Sequence, residues 1–284
     1  MKKKIIAMAL SVLMVVAVFS GCGSAVDRQS VDAIKKSGKL IMNTNAEFAP
    51  FEYVAGGKVV GVDVDIAQAI ADKLGVELEI NNVAFDTVLS AVSTGKASVG
   101  IAGITVRPDR AETVDFSINY TTSTQYIIVH EDFDVKTVED LANKKIGVQL
   151  GTTGDFLISD EIKGTTDEKT GEHIKGIFEG TNTECIQFKN ANLAATDLMA
   201  GKIDAVVIDK LPAELIVKNN ADKGLKTLEL VYADGSKTDE QYAVCVAKGN
   251  ESLLKVINEV LKELIDSGKI DEFIIKHSTE ALAD

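Results

Sequence analysis

Arg110 and the short run before it carry residue types that suit the capture of a small anion. The segment 99–120 opens as an apolar strand, with Val99, Ile101 and Ile104 around small Ala102 and Gly103. It turns at Gly103-Ile104-Thr105 and enters a helix through Pro108 and Asp109, residue types that favour a first helical turn. A helix start offers free backbone N–H groups and the positive end of a dipole. Those groups, the Thr105 hydroxyl and the Arg110 guanidinium together suit a carboxylate, which arginine can hold through two parallel hydrogen bonds. Without that context, Arg110 would read as a surface salt bridge and Gly103 as a tight turn.

A second turn of the same kind follows. Residues 145–150 form an apolar strand, Gly151-Thr152-Thr153-Gly154 turns, and a helix is expected from near Asp155. This again places N–H groups and hydroxyls at a helix start, although plain helix capping is the simpler role for Thr152 and Thr153. Asp209 ends the apolar run 205–208, where a carboxylate suits an ammonium group or caps the helix over 212–217.

The elements that must hold these residues follow from periodicity. Residues 31–37 read as a helix and 40–44 as a strand. The loop from Asn45 to Tyr53 comes next, where Pro50 keeps Ala49 extended, so aromatic side chains can be presented from a strand end. Residues 59–65 read as a strand feeding a helix over 66–74, with Asp65 as its cap. Asp63 and Asp65 are given structural roles, since two carboxylates on such a turn do not make a calcium loop. A strand over 78–83, a helix over 85–92 and a strand over 97–103 complete the first α/β run. Strands at 126–130, 145–150, 184–188, 205–208 and 228–231 form a second run, with helices over 192–199 and 212–217.

Near the end, Leu253, Leu254, Val256, Ile257, Val260, Leu261, Leu264 and Ile265 mark one broad apolar helix face that stops at Gly268. A short helix over 270–276 follows. The alternation predicts an α/β fold with parallel sheets covered by helices on both faces. Ligands of such sheets sit at the carboxyl ends of strands, where Asn45, Phe48, Gly103 and Thr105 are expected. The charged, Gly-punctuated stretch 158–183 reads as an exposed insertion that buries little apolar surface.

The chain has 284 residues and a formal charge of -13, which argues against nucleic acid or an anionic membrane surface as partner. Lys2, Lys3 and Lys4 precede an apolar run from Ile5 to Phe19, then Ser20-Gly21-Cys22. That run is short for a bilayer span and typical of a signal peptide. Small residues directly before a cysteine resemble the bacterial lipobox, which predicts a signal peptide over 1–21 and lipidation of Cys22. His130, His173 and His277 lie far apart and lack metal-ligand spacing, so no metal site is expected. There is neither a nucleophile elbow nor a phosphate-binding glycine loop.

The order Gly103-Ile104-Thr105, Arg110, Asp115-Phe116-Ser117 and Tyr120 resembles the carboxylate-clamp region of bacterial solute-binding family 3, the polar amino-acid-binding lipoproteins of ABC importers. The resemblance spans nearly the whole mature chain. It implies a two-lobed periplasmic-binding-protein-like fold of type II, with the ligand in the inter-lobe cleft and two hinge crossings. Residues 30–120 and 242–284 would form lobe 1, 121–125 and 238–241 the crossings, 126–237 lobe 2, and 22–29 a lipidated tether. Cys185 and Cys245 would then lie in different lobes as free thiols.

The resemblance also implies roles. Arg110, Thr105 and the Thr152-Thr153 turn would hold an amino acid's carboxylate, Asp209 and the Gly103 carbonyl its ammonium, and Phe48 would form an aromatic wall. Asn45 stands where binders of basic amino acids often carry an acid, which favours a neutral polar ligand. Gln149 and Glu47 could modify this, and Glu47 keeps a cationic side chain open. The implied partners are a free amino acid and a membrane ABC permease, without cofactor or nucleic acid. The chain would be a monomer, lipid-anchored (palmitate) on the extracytoplasmic face of the cell membrane. A dehydratase-type enzyme on the same scaffold, or a sensor lobe for a membrane signalling partner, are the other functions considered.

Overall fold

The computed structural model describes residues 24–282; the expected signal peptide and Cys22 lie outside the described residues. Short α1 (Ala25–Arg28) and α2 (Val31–Ser37) lead into β1 (Lys39–Thr44). A small antiparallel sheet follows, made of β2 (Glu47–Phe48), β3 (Glu52–Ala55) and β4 (Lys58–Val60). Then come α3 (Val62–Leu74), β5 (Glu77–Asn82), α4 (Phe85–Ser93), β6 (Val99–Gly100), α5 (Pro108–Ala111) and β7 (Val114–Phe116).

The long strand β8 (Thr121–His130) carries the chain away from this region. Beyond it lie β9 (Lys145–Gln149), α6 (Thr153–Lys163), the hairpin β10 (Thr165–Thr166) and β11 (His173–Ile174), and β12 (Glu184–Phe188). After these come α7 (Ala191–Met199), β13 (Ala205–Asp209), α8 (Lys210–Asn219) and β14 (Leu225–Glu229). The chain returns along β15 (Asp239–Tyr242) to β16 (Cys245–Ala247), and ends with α9 (Glu251–Asp266) and α10 (Lys269–Glu280).

Two main sheets result. The first has the order β5-β1-β6-β16-β7, the second β12-β9-β13-β8-β14. Both are mixed, where parallel sheets were expected. The reason lies in the crossing. β8 and β15 pair antiparallel through Asp239↔Thr124 to Tyr242↔Thr121. One strand of this ribbon leaves and the other returns, so β8 joins β13, and β16 joins β6, in the antiparallel sense.

Local chemistry sets the element ends. Ser30, Asn190 and Asn250 cap α2, α7 and α9 through their side chains. Within α3, Ile66, Ala67, Ile70, Ala71 and Leu74 are buried at helical spacing against Leu40 and Met42 of β1. A second core under the other sheet gathers Ile127, Val129, Ile146, Val148 and Val207. Cys185 and Cys245 fall in different sheets and are free.

Several expectations need correction. Asp65 does not cap α3: the cap position is Gly61, and Asp65 instead meets Lys276 and His277 of α10. The strand expected over 97–103 is reduced to Val99–Gly100, because Asp63 takes the Gly103 N–H at 2.8 Å and draws the chain off the ladder. The segment 158–183 is not uniformly exposed. Ile158 and Phe178 are core residues, and only the hairpin between them projects. The strand at 228–231 starts earlier, at Leu225.

The turn into α3 is held by a close backbone approach. Gly61 has φ +138°, and a Cβ there would sit 2.1 Å from the Phe51 carbonyl oxygen. Gly61→Ala should therefore cost about 3 kcal/mol or more, since neither backbone can yield. A urea melt should show a lower midpoint; an unchanged midpoint would contradict the approach described.

Candidate functional site

Asn45, Phe48, Gly103, Thr105, Arg110, Gln149, Thr152, Thr153 and Asp209, picked out from the sequence, all line one pocket. The residues arrive separately. Asn45 follows β1, Gly103 and Thr105 follow β6, Arg110 lies in α5, Gln149 ends β9, and Asp209 ends β13. Phe48 comes from the small sheet and not from a main-sheet strand end. It packs against Phe51 with ring centroids 5.8 Å apart. Gly103, at φ +53°, leaves room for that ring: a Cβ there would lie 2.7 Å from Phe48 Cε1.

Arg110 is only 6% exposed. Its Nη1 donates to the Thr105 carbonyl and its Nη2 to the Gly151 carbonyl, each at 2.9 Å. The guanidinium stands 5.7 Å from the Phe85 ring centroid. Among the described residues no carboxylate comes within ion-pair distance of it. Burial, and then Arg107, lower its pKa. A buried cation with donors to spare and no anion is costly.

Groups from the two main sheets meet across this pocket. Thr153 Oγ1 donates to Thr105 Oγ1 at 3.1 Å, and Gln149 Nε2 to Asn45 Oδ1 at 3.0 Å. Arg107 covers the Phe156 ring at 4.1 Å. Thr152 caps α6 by accepting from the Asp155 N–H, and donates to the Gln149 carbonyl at 2.8 Å, so its hydroxyl is engaged. The first N–H groups of α6 have no intrahelical partner and face the same region.

Asp209 occupies the cap position of α8 but makes no capping hydrogen bond. It accepts from the Tyr242 hydroxyl at 2.5 Å. Burial, followed by Glu240, raises its pKa well above the usual carboxylate range. Neither Glu240 nor Gln125 stood out in the sequence. Gln125 donates to Glu240 Oε1, and Thr105 donates to Glu240 Oε2 at 2.5 Å.

Glu52 was also missed. It lines the pocket, is fully buried, and meets no N–H or O–H donor. It lies within hydrogen-bonding reach of Asp63, a contact that requires a proton on one of the two. Asp63 in turn accepts from the Gly103 N–H and from the Tyr120 hydroxyl, each at 2.8 Å. Burial raises Glu52 well above its ordinary range and pushes Asp63 up to about 6. The signal for Glu52 was its position four residues after Phe48, opposite it in the β2–β3 register. Glu47, by contrast, is exposed and borders a separate groove.

Away from these charges the lining is neutral. Asn45 Nδ2 donates to the Val83 carbonyl at 2.8 Å, and Gln149 Oε1 is buried with no donor. No histidine lines the pocket.

Comparison with known proteins follows the same geometry. The sequence profile of bacterial extracellular solute-binding proteins, family 3, matches residues 40–280. The arginine-binding extracellular protein ArtP of Bacillus subtilis is 28% identical over 253 residues, covering 89% of each chain. The crystal structure of AbpA, an amino acid ABC transporter substrate-binding protein from Streptococcus pneumoniae bound to L-arginine, has a TM-score of 0.77. It is 33% identical and covers 88% of this chain and 99% of its own. An ancestral arginine-binding protein bound to glutamine has a TM-score of 0.72 at 36% identity, covering 84% and 97%.

The Glu52–Asp63 pair sets a pH dependence. A carboxyl whose pKa is raised on folding stabilises the fold below its unfolded value, here near 3.8 for Asp63. That contribution is lost as pH rises through about 6. Glu52→Gln supplies a permanent donor to the Asp63 carboxylate and removes much of this loss. The melting temperature of the ligand-free variant, relative to the parent, should rise steadily from pH 4 towards pH 7. A difference that is flat or falls over that window would contradict the shared proton.

Proposed function

The chain belongs to the bacterial extracellular solute-binding proteins, family 3, and on that premise we propose that its solute is a free L-α-amino acid whose side chain ends in N–H donors, L-arginine foremost. It is the amino-acid-binding component of an ABC transporter, a solute-binding protein and not an enzyme. The observation that carries the ligand assignment is the pairing of buried Arg110 and buried Asp209 on one small pocket. Opposite charges held at fixed separation complement a zwitterion.

In this reading the α-carboxylate takes the free donors of Arg110 and the N–H groups of the Thr152-Thr153 helix start, while the one proton of the Thr105 hydroxyl stays on Glu240. The ammonium takes Asp209 and the Gly103 carbonyl, and Phe48 walls the side chain. Gln149 Oε1, and the second lone pair of Asn45 Oδ1, accept from the ligand's side chain. An acidic side chain would set oxygen against oxygen there. The neutral ligand suggested by Asn45 alone yields to a cationic one, because Glu52, Asp63, Asp209 and Glu240 outnumber Arg110 around the pocket. The relatives named above as arginine-binding, and the ancestral protein that holds glutamine, accord with donor-bearing side chains.

Residues 30–120 with 242–284, and 126–237, are proposed as the two lobes, with the β8–β15 ribbon as the paired crossing. Contacts made by both lobes to one ligand would bias the closed form. Lipid on Cys22 would hold the monomer at the extracytoplasmic face of the membrane, where the ABC permease receives the solute.

A thermal-shift screen over the twenty amino acids tests the ligand class, since a bound solute raises apparent stability by mass action. L-Arginine should give the largest shift and L-glutamine a smaller one, with none from L-glutamate or L-aspartate. The largest shift from an acidic amino acid would reject the assignment. Arg110→Ala should weaken L-arginine binding by roughly a hundredfold or more in calorimetry, the scale expected when one partner of a buried ion pair is removed. Unchanged affinity would remove Arg110 from the site.

A further inference from the structure

Glu240 is a buried carboxylate that the ligand assignment leaves without a task. It sits on the returning strand of the crossing ribbon and is 3% exposed. Three parts of the molecule converge on it. Thr105, from the Arg110 turn, donates to its Oε2, and Gln125, from the outgoing strand, donates to its Oε1. Asp209, at the end of β13, stands opposite Gln125 in the strand register, which brings it to the Glu240 side of the ribbon, and the Glu240 charge adds to the rise in its pKa. Thr153 extends the chain by donating to Thr105, so a line of hydrogen bonds runs from the α6 start across the pocket to the ribbon.

The charges around Glu240 are lopsided. Facing it are Arg110 from α5, the Tyr242 hydroxyl from its own strand, and the Asp209 carboxylate. Glu52 adds a further acid near Asp209, backed by Asp63 and Tyr120. Two carboxylates close together in a buried site cannot both stay ionised without a cation between or beside them. A second observation also indicates a missing donor: Gln125 Oε1, fully buried beside them, has no partner.

We propose that Glu240 is a positioning residue that keeps a proton on the buried Asp209 carboxyl while the ammonium site is empty, and that the ligand's ammonium displaces this proton to solvent. The inference rests on the reading that an amino acid places its ammonium on Asp209. The proton balance is simple. The empty site holds two carboxyl groups and one proton, which is on Asp209. The occupied site holds an ammonium against two carboxylates, and the proton has passed to the buffer. Glu240 goes on accepting from Thr105 and Gln125. Occupation of the ammonium site is thereby coupled to the carboxylate turn and to the crossing ribbon.

Calorimetry of L-arginine binding at pH 7, in phosphate and in Tris, reads the proton count from the difference in buffer ionisation enthalpy. The expected release is close to one proton per arginine, falling towards zero in Glu240→Gln. Infrared spectra of the ligand-free protein give a second reading that needs no ligand. Two protonated-carboxyl bands should be present, one from Glu52–Asp63 that only Glu52→Gln removes, and one from Asp209 that is absent in Glu240→Gln and lost from the parent when arginine is added. Arginine binding with no buffer dependence, or both bands unchanged in Glu240→Gln, overturns the proposal. If arginine does not bind while the Asp209 band is present in the parent and absent in Glu240→Gln, the ligand assignment falls and the proton held at Asp209 stands. Should Glu240→Gln fail to fold, the buffer dependence and ligand-sensitive band of the parent protein decide alone.

Discussion

A guanidinium shut away from water, with two carbonyls for company and no carboxylate, is an incomplete arrangement. Arg110 is held in that state by its surroundings: Phe85 on one side, the Thr105 carbonyl on another, and the Gly151 carbonyl from across the pocket. Removing a cation from water costs several kcal/mol even after relaxation. Such a cost is sustained only where the missing anion arrives from outside. The placement of the strand-end turns, the room made by Gly103 and the closeness of the α6 start all serve this one deficit.

The opposite end of the pocket has the reverse problem. Glu52, Asp63, Asp209 and Glu240 are buried acids, none ion-paired among the described residues, and Glu52 meets no donor. Protons supply part of what is lacking, which is why burial holds Glu52 and Asp209 well above the usual range. On the proposed reading, this cation-poor floor and the anion-poor wall at Arg110 form a template for a zwitterion. Because the two ends are anchored on different sheets joined by the β8–β15 ribbon, a ligand that satisfies both also fixes how the sheets meet.

Much of this was legible in the residues. The Gly103-Thr105-Arg110 order and the Gly151-Thr152-Thr153 turn carry recognisable backbone chemistry, and strand ends in an α/β chain face the same way. Asp209 was readable as a strand-terminal acid; whether it capped a helix or faced the pocket depended on Tyr242, which lies 33 residues further along. Glu52 and Glu240 were not readable. Each is one polar residue in a short strand, and only register and the return of the ribbon bury it. The expected parallel sheets failed for a related reason, since strand direction at the crossing depends on which edge the chain rejoins. In the segment 158–183, charge density masked Ile158 and Phe178, whose apolar weight is felt only after packing.

The anion deficit at Arg110 can be tested from the ligand's side, without altering the protein. Calorimetry would compare L-arginine with L-argininamide, which keeps the side chain and ammonium but replaces the α-carboxylate by a neutral amide. The amide is expected to bind at least about a hundredfold more weakly, the scale for leaving a buried charge unpaired. Equal affinity of the two would mean that Arg110 is not waiting for a carboxylate.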